Sequence, residues 1–331
     1  RLDAQVICVD SLSYSSNTDS LKSVFKNNLF SFEKEDISNS SAIAKILKTY
    51  SPDKVLHLAA ETHVDRSIDN PGTFIQTNII GTFNLLNISL EYWKGLNPSK
   101  KSNFKFHHVS TDEVFGELNK KQKPFDESSP FSPSSPYSAS KASSDHLVKA
   151  WHKTYKLPIL LTNCSNNYGP YQFPEKLMPL TILKALEGTD IPIYGSGEQI
   201  RDWIYVEDHV EALVEILNNG EAGETYNIGG NCERTNLDVV KTICNTLEKL
   251  QPKHPKGIFK YSDLISFVED RPGHDYRYAI DNGKIERDFK WKPKESLETG
   301  VYKTVSWYLN NKDWLSKVQK QYKGERLGLR K

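Results

Sequence analysis

An α/β fold built around a doubly wound parallel sheet is what this sequence predicts, on three observations. Short apolar runs alternate with amphipathic stretches of helical period over much of the chain. The run Lys54-Val-Leu-His-Leu-Ala-Ala60 is nearly continuous in apolar residues, as expected of a parallel strand covered on both faces. A second run, Phe104 to Val109, stops at the polar cluster Ser110-Thr-Asp-Glu113, and in open sheets of this class ligands collect just past the carboxyl ends of the strands.

With 331 residues the chain is long enough for one large domain or two, and for a substantial core. A composition of 37% hydrophobic and 26% charged residues suits a soluble globular protein and excludes a disordered one. Acidic and basic residues nearly cancel to a net charge of +1, so neither nucleic acid nor an anionic membrane is an expected partner. No apolar stretch is long enough to span a bilayer and no basic-then-apolar leader opens the chain, which makes the cytoplasm the expected location. Cys8, Cys164, Cys232 and Cys244 lack close spacing and are expected to be reduced thiols. Without a Cys/His cluster or a His-Glu-x-x-His motif, no metal is expected. Met178 is the single methionine and the chain opens on Arg1, so a truncated or partial product is expected.

In chain order, Ala4 to Asp10 reads as a strand ending in an acid, and Ser11 to Ser20 as a polar loop. An acid at such a strand end bonds an adenosine ribose when it follows a glycine-rich phosphate loop by about 20 residues. That loop is not present: Gly195-Ser-Gly197 lacks a third glycine and lies far downstream, and Gly229-Gly230 opens no helix. In a Rossmann-like reading the first strand and its glycine turn are therefore missing from the chain, upstream of Arg1. A chain without them is expected to leave strand edges unpaired and to be unstable or inactive. Ser40 to Tyr50 reads as a helix, Lys54 to Ala60 as a strand, and Asn70-Pro71 as the cap of a long helix reaching Trp93. The Phe104 strand and a loop from Asn119 to Pro136 lead into a helix ending at Tyr155 and a strand from Pro158 to Thr162. Asn163 to Pro174 is turn-rich, polar and aromatic, a composition that lines a pocket rather than a core. Further helices are expected at Leu177 to Glu187, Glu207 to Leu217, Leu237 to Leu250 and Ser296 to Leu309. Between them lie a loop-and-strand region from Ile191 to Tyr205, a strand from Glu224 to Ile228, and the turn Arg271-Pro-Gly-His-Asp275 with two potential cations. Lys317 to Lys331 reads as a frayed basic tail.

Within the helix from Pro136, Tyr137 and Lys141 stand four apart and share a face, with Ser135 as N-cap. A phenol with a pKa of about 10 becomes a base near neutrality only when a cation stabilises its phenolate, which a neighbouring ammonium does. Spacing alone is weak support, because Tyr50-Ser-Pro-Asp-Lys54 matches as well. Pro52 marks that second match as a helix end and turn.

Together, Ser110-Thr-Asp-Glu113, Tyr137-x-x-x-Lys141 and Arg271-Pro-Gly-His274 resemble the motifs of the extended short-chain dehydrogenase/reductase family, and within it the nucleotide-sugar 4,6-dehydratases. The likeness runs from about Val6 to about Trp307 and includes Thr-His-Val-Asp-Arg66, Cys-Ser-Asn-Asn-Tyr-Gly-Pro170, Pro-Glu-Lys-Leu177 and Arg-Asp-Trp203. Asn163 stands where such proteins usually carry Arg, and Ser196 where they carry Asp; neither is expected to be catalytic. The resemblance implies bound NAD and a nucleoside-diphosphate glucose, with thymine or uracil as base left open, converted to a 4-keto-6-deoxy sugar. Tyr137 would take the C4 hydroxyl proton with Lys141 lowering its pKa, Thr111 would bond the same hydroxyl, Glu113 would remove the C5 proton, and Asp112 would protonate the departing C6 hydroxyl. Adjacent carboxyls suit opposite roles because each pushes the other's pKa away from its own. The resemblance further places Asp10, Asp36, Ile37, Leu58, Ala59, Ala60, Thr77, Ser110, Tyr137 and Lys141 at the cofactor. At the substrate it places Thr62, Asn166, Lys176, Leu177, Arg201, Asn236, Arg271 and His274, the two arginines as forked donors to a diphosphate. It also implies residues 1–165 with 206–230 as the NAD-binding unit, 166–205 with 231–316 as a smaller substrate-binding unit, and a homodimer joined by a four-helix bundle. A UDP-sugar 4-epimerase or UDP-glucuronate decarboxylase is the alternative within the family, although the Asp112–Glu113 pair speaks against an epimerase. A non-catalytic nucleotide-binding sensor or scaffold is the alternative outside it.

Overall fold

The structure, a computed structural model, describes residues 4–322 and 328. The first part of the chain forms β1 (Val6–Asp10), β2 (Phe30–Lys34), α1 (Ser40–Tyr50), β3 (Lys54–His57), α2 (Val64–Asp69), α3 (Pro71–Phe74) and α4 (Thr82–Lys94). It continues with α5 (Pro98–Asn103), β4 (Lys105–Thr111), α6 (Pro136–Tyr155), β5 (Ile159–Cys164), β6 (Asn166–Tyr168), α7 (Leu177–Glu187), β7 (Ile191–Tyr194) and β8 (Ile200–Tyr205). The last part holds α8 (Val206–Asn219), β9 (Thr225–Ile228), β10 (Glu233–Thr235), α9 (Asn236–Leu250), β11 (Ile265–Val268), α10 (Gly283–Phe289), α11 (Leu297–Asn310) and α12 (Lys312–Gln321).

Strands β3, β4, β5 and β9 pair in that order, all parallel, with His57 opposite His108 and Thr111 opposite Cys164. Alternation along β5 explains why both faces are covered. Ile159 and Leu161 pack with Ile43, Leu86 and Val148 of α1, α4 and α6, whereas Leu160 between them packs with Leu213 and Ile216 of α8. Strand β1 pairs only with β2, in parallel, and no ladder joins β1 to β3 among the described residues, so each presents an open edge. Exposed Val6 and Leu56 lie on those edges.

Other strands pair outside that sheet. β6 and β10 flank β8, and β11 pairs with β7. A large apolar cluster joins α7, α9 and α11 beneath them through Ile182, Val240, Ile243, Val301 and Val305.

Four expectations are corrected here. The segment Asn163 to Pro174 is not only a pocket lining: β6 lies within it, and Tyr168 and Phe173 are buried in the apolar cluster. The helix expected from Pro71 to Trp93 is interrupted by a π-helix over Ile75–Gly81, and Asn70 makes no side-chain capping bond. β3 ends at His57, leaving Leu58 to Ala60 as loop. Lys317 does not begin a frayed tail, because α12 runs to Gln321 and buries Trp314, Leu315 and Val318. The rest of that tail, apart from Tyr322 and Gly328, lies outside the described residues.

Gly229-Gly230 allows a close backbone approach. A Cβ on Gly230 would sit 1.9 Å from the Trp203 carbonyl oxygen, while the Gly230 N–H donates to Asp202 Oδ2 at 2.9 Å. Because the obstructing atom is backbone, Gly230→Ala is expected to lower unfolding free energy by about 2–3 kcal/mol. Urea denaturation of the two proteins measures this.

Candidate active site

Thr111 ends β4 and caps a 3-10 turn over Asp112–Phe115, its hydroxyl accepting the Glu113 N–H at 3.3 Å. The two carboxyls therefore leave the sheet at its carboxyl edge from one rigid turn. Gly116 closes that turn with φ of 87°, and a Cβ there would meet the Ser132 carbonyl oxygen at 2.2 Å, so no other residue fits.

Burial raises both carboxyl pKa values, with different outcomes. Asp112 is held well above the carboxylate range by burial and then by the charges of Glu113 and Asp202, and its Oδ2 is buried without a partner. Burial also raises Glu113, but Arg271, Arg201 and Lys176 oppose the shift. Both carboxyls are thus pushed toward the protonated form, Asp112 the further, and Glu113 is the one that three cations draw back toward the anion.

Tyr137 and Lys141 project from the first turns of α6. Ser135 and Ser138 form a reciprocal capping box, and Pro136 occupies the first turn. The Tyr137 N–H donates to Ser67 Oγ of α2 at 3.1 Å, so two helix starts are fastened together. Burial, then Glu113, raises the Tyr137 phenol well above its usual pKa, while the Thr111 hydroxyl favours the phenolate. Lys141 Nζ donates to the Val109 carbonyl at 2.9 Å, and burial lowers its pKa against the opposing charge of Asp145. The decoy is dispersed: Tyr50 ends α1 and donates to Glu33 at 2.6 Å, and Lys54 starts β3 and donates to Asn218 at 2.5 Å.

Among the substrate candidates, Arg201 is buried against the face of Tyr278, 4.3 Å from the ring centroid, and donates to the Asp275 carbonyl at 2.9 Å. Arg271 pairs through Nε with Asp65 at 3.3 Å and leaves Nη1 buried without a partner. Lys176 Nζ donates to the Thr62 carbonyl at 2.7 Å, just before Leu177 opens α7. Asn166 keeps a buried, unpartnered Oδ1. Asn236 begins α9, its N–H donating to the Gln199 carbonyl at 2.9 Å, and is not drawn into the carboxyl cluster by any described contact. His274 does not supply a second cation: burial and Arg271 push its pKa down to about 4, and Nδ1 lies 2.6 Å from Asp270.

The cofactor candidates lie at successive carboxyl ends of the parallel strands: Asp10 after β1, Asp36 and Ile37 after β2, Leu58 to Ala60 after β3, and Ser110 at the end of β4. The residues present fit NAD. Asp10 accepts the Leu12 N–H at 2.7 Å and the Ser16 hydroxyl at 3.1 Å through Oδ1, so among the described contacts Oδ2 remains for a ribose diol. Lys141 commits one proton to Val109 and keeps two for a second ribose. Ala59 and Ala60 carry nothing beyond Cβ to obstruct a close approach. Thr77 stands in the π-helix, which Asn78 clamps to the loop at Glu61 and to Ser140 of α6, with its amide 2.8 Å from Ser140 Oγ. π-Helical turns of this kind recur at functional sites.

Motif reading missed the residues that hold the site from behind. Asn163 donates to the Thr111 carbonyl at 3.1 Å and to Asp145 Oδ2 at 3.2 Å, and His108 Nε2 meets Asp145 Oδ1 at 3.1 Å. The one available signal was spacing, since Asp145 follows Lys141 by four on the same helical face.

This geometry is that of an extended short-chain dehydrogenase/reductase with an added pair of carboxyls, and the comparisons agree. A family profile described as GDP-mannose 4,6 dehydratase matches residues 2–304, and the chain belongs to that family. It is 55% identical over 324 residues to the dTDP-glucose 4,6-dehydratase of Neisseria meningitidis, covering 98% of this chain and 91% of that one. Against an Escherichia coli dTDP-glucose 4,6-dehydratase the identity is 56%, with 98% and 92% covered. Among solved structures, a Streptomyces venezuelae dTDP-glucose 4,6-dehydratase with NAD bound superposes with a TM-score of 0.86 at 38% identity, covering 96% and 91%. A Thermotoga maritima UDP-glucose 4-epimerase gives 0.79 at 29% identity, covering 92% and 91%.

The buried Asp145 gives a signed expectation. Burial raises its pKa from 3.8 to about 6, so the stability it contributes below pH 3.8 is lost as pH rises through about 6. Relative to the parent, Asp145→Asn should therefore gain up to about 3 kcal/mol between acidic and neutral pH. Urea unfolding at both ends of that window reads the difference.

Proposed function

We propose that this protein converts dTDP-glucose to the 4-keto-6-deoxy sugar, with NAD as a recycled cofactor. The observation that carries the reading is the Asp112–Glu113 pair: a buried and a half-buried carboxyl on one turn, the first pushed well above the carboxylate range and the second flanked by cations. Relatives above 50% identity named dTDP-glucose 4,6-dehydratase support the substrate. We assign residues 1–165 with 206–230 to the cofactor and 166–205 with 231–316 to the sugar nucleotide.

When bound, NAD would supply the hydride acceptor for C4 and the hydride donor for C6. Asp10, Asp36, Ile37, Leu58, Ala59, Ala60, Thr77, Ser110, Tyr137 and Lys141 are the residues that would hold it. The chain's own part is proton movement and positioning. Thr111 bonds the C4 hydroxyl and Tyr137 takes its proton, the phenolate being favoured by Thr111 and by the ammonium of Lys141 one helical turn away. The C4 ketone acidifies the C5 hydrogen, which Glu113 removes as a base, and the same carboxyl returns a proton to C5 when hydride reaches C6. Asp112, already protonated, gives its proton to the C6 hydroxyl, which leaves as water. Arg201, Arg271 and Lys176 supply positive charge for the diphosphate, and the same charges oppose the rise that burial imposes on Glu113. Thr62, Asn166, Leu177, Asn236 and His274 complete the substrate contacts; His274 acts there as a neutral group.

A homodimer through α4 and α6 is part of this reading. Ile75, Ile80, Phe83 and Tyr155 are exposed on these helices or on the π-helix that leads into α4, and Phe83 packs edge-on against Trp151 of α6. A cytoplasmic location agrees with four free cysteines among the described residues and with no helix long and apolar enough to cross a membrane there.

Tyr137→Phe and Glu113→Gln should each lower kcat for dTDP-glucose by about 10²–10⁴-fold. Glu113→Gln should also abolish solvent-deuterium incorporation at C5. Unchanged rates in both variants would overturn the mechanism. Light scattering should return twice the chain mass, and Phe83→Glu should shift that mass toward the monomer.

A further inference from the structure

Helix α2 carries two buried residues that no proton transfer uses, and each fastens a different part of the site. Asp65 accepts the Tyr194 hydroxyl at 2.8 Å through Oδ2 and pairs with Arg271 Nε at 3.3 Å through Oδ1. Two residues on, Ser67 Oγ accepts the Tyr137 N–H at 3.1 Å. Arg271 is thus gripped along its Nε edge, while its Nη1 is buried and has no partner among the described residues. A buried guanidinium nitrogen without an acceptor is costly unless a ligand supplies one. An arginine left to sample its rotamers would also have to be ordered each time an anion bound, whereas one fixed by a carboxylate is ordered beforehand.

We propose that Asp65 is a positioning residue for the substrate: it holds Arg271 so that its free nitrogen meets the diphosphate, and α2 sets the span from that anchor to Tyr137. The assignment rests on the reading of Arg271 given above. It also explains why Asp65 and Ser67 sit on one six-residue helix, since a rigid element held at both points fixes the distance between the phosphate contact and the C4 hydroxyl. Tyr194 Oη, from β7, keeps the carboxylate from rotating away.

The test compares dTDP with thymidine, which lacks phosphates, as ligands in calorimetry on the full NAD-loaded chain. Asp65→Asn should weaken dTDP by about tenfold, the loss of one charge-assisted hydrogen bond, and leave thymidine unchanged. KM for dTDP-glucose should rise by the same factor with kcat nearly constant. Asp65→Glu, which keeps the charge but moves it by one methylene, should give an intermediate loss. In an Arg271→Gln background the Asp65→Asn effect should vanish, because one residue acts through the other. Unchanged dTDP affinity in Asp65→Asn, or equal weakening of dTDP and thymidine, would overturn the proposal. If Arg271→Gln alone leaves dTDP affinity intact, the reading of Arg271 fails; if it weakens dTDP while Asp65→Asn does not, only the role of Asp65 fails.

Discussion

Two adjacent carboxyl groups cannot both be buried and charged without compensation, and much of the site is arranged around that constraint. Asp112 and Glu113 leave β4 on consecutive residues of one short turn, so neither can move away from the other. The site answers by asymmetry. Asp112 is pushed toward its protonated form by burial and then by Glu113 and another acid, Asp202. Glu113 faces Arg271, Arg201 and Lys176, which restore much of what burial removes. The same three cations suit a diphosphate, so in the proposed reading one set of charges would serve both substrate binding and the ionisation of Glu113.

The frame behind these groups is made of neutral or singly charged polar contacts rather than of apolar packing alone. Asn163 ties the Thr111 carbonyl to Asp145, Asn78 ties the π-helix to α6, and Ser67 ties α2 to Tyr137. Each of these side chains is fully or nearly buried, so its hydrogen bonds are directional and cannot be traded for water. That is how a site assembled from three strand ends and two helix starts keeps its spacing.

Much of this was legible in the sequence where local chemistry and fold agreed. The helix at Pro136 announced itself through Ser135 and proline, and β4 through an apolar run halted by polar residues. Reading failed where tertiary context overrode composition. Tyr168 and Phe173 lie among turn formers, yet they fill a core, because β6 pairs with β8 and turns Tyr168 inward. His274 looked like a cation, but burial beside Arg271 removes its proton. The π-helix has no local signature distinguishable from ordinary helix, and α12 hid its three buried anchors in a basic stretch. The contacts that Asp65, Asn163 and Asp145 make were not legible for another reason: their partners lie mostly far away in sequence.

Cys164 stands opposite Thr111 in the sheet, within reach of the reacting groups, and its Sγ donates to the Ser110 carbonyl at 3.2 Å. Burial, then the neighbouring Asp112, pushes this thiol up to about 12. Only the thiolate is readily alkylated or oxidised. A cysteine paired with the strand that carries Thr111 is therefore held as the less reactive thiol by the same burial that raises the neighbouring carboxyls.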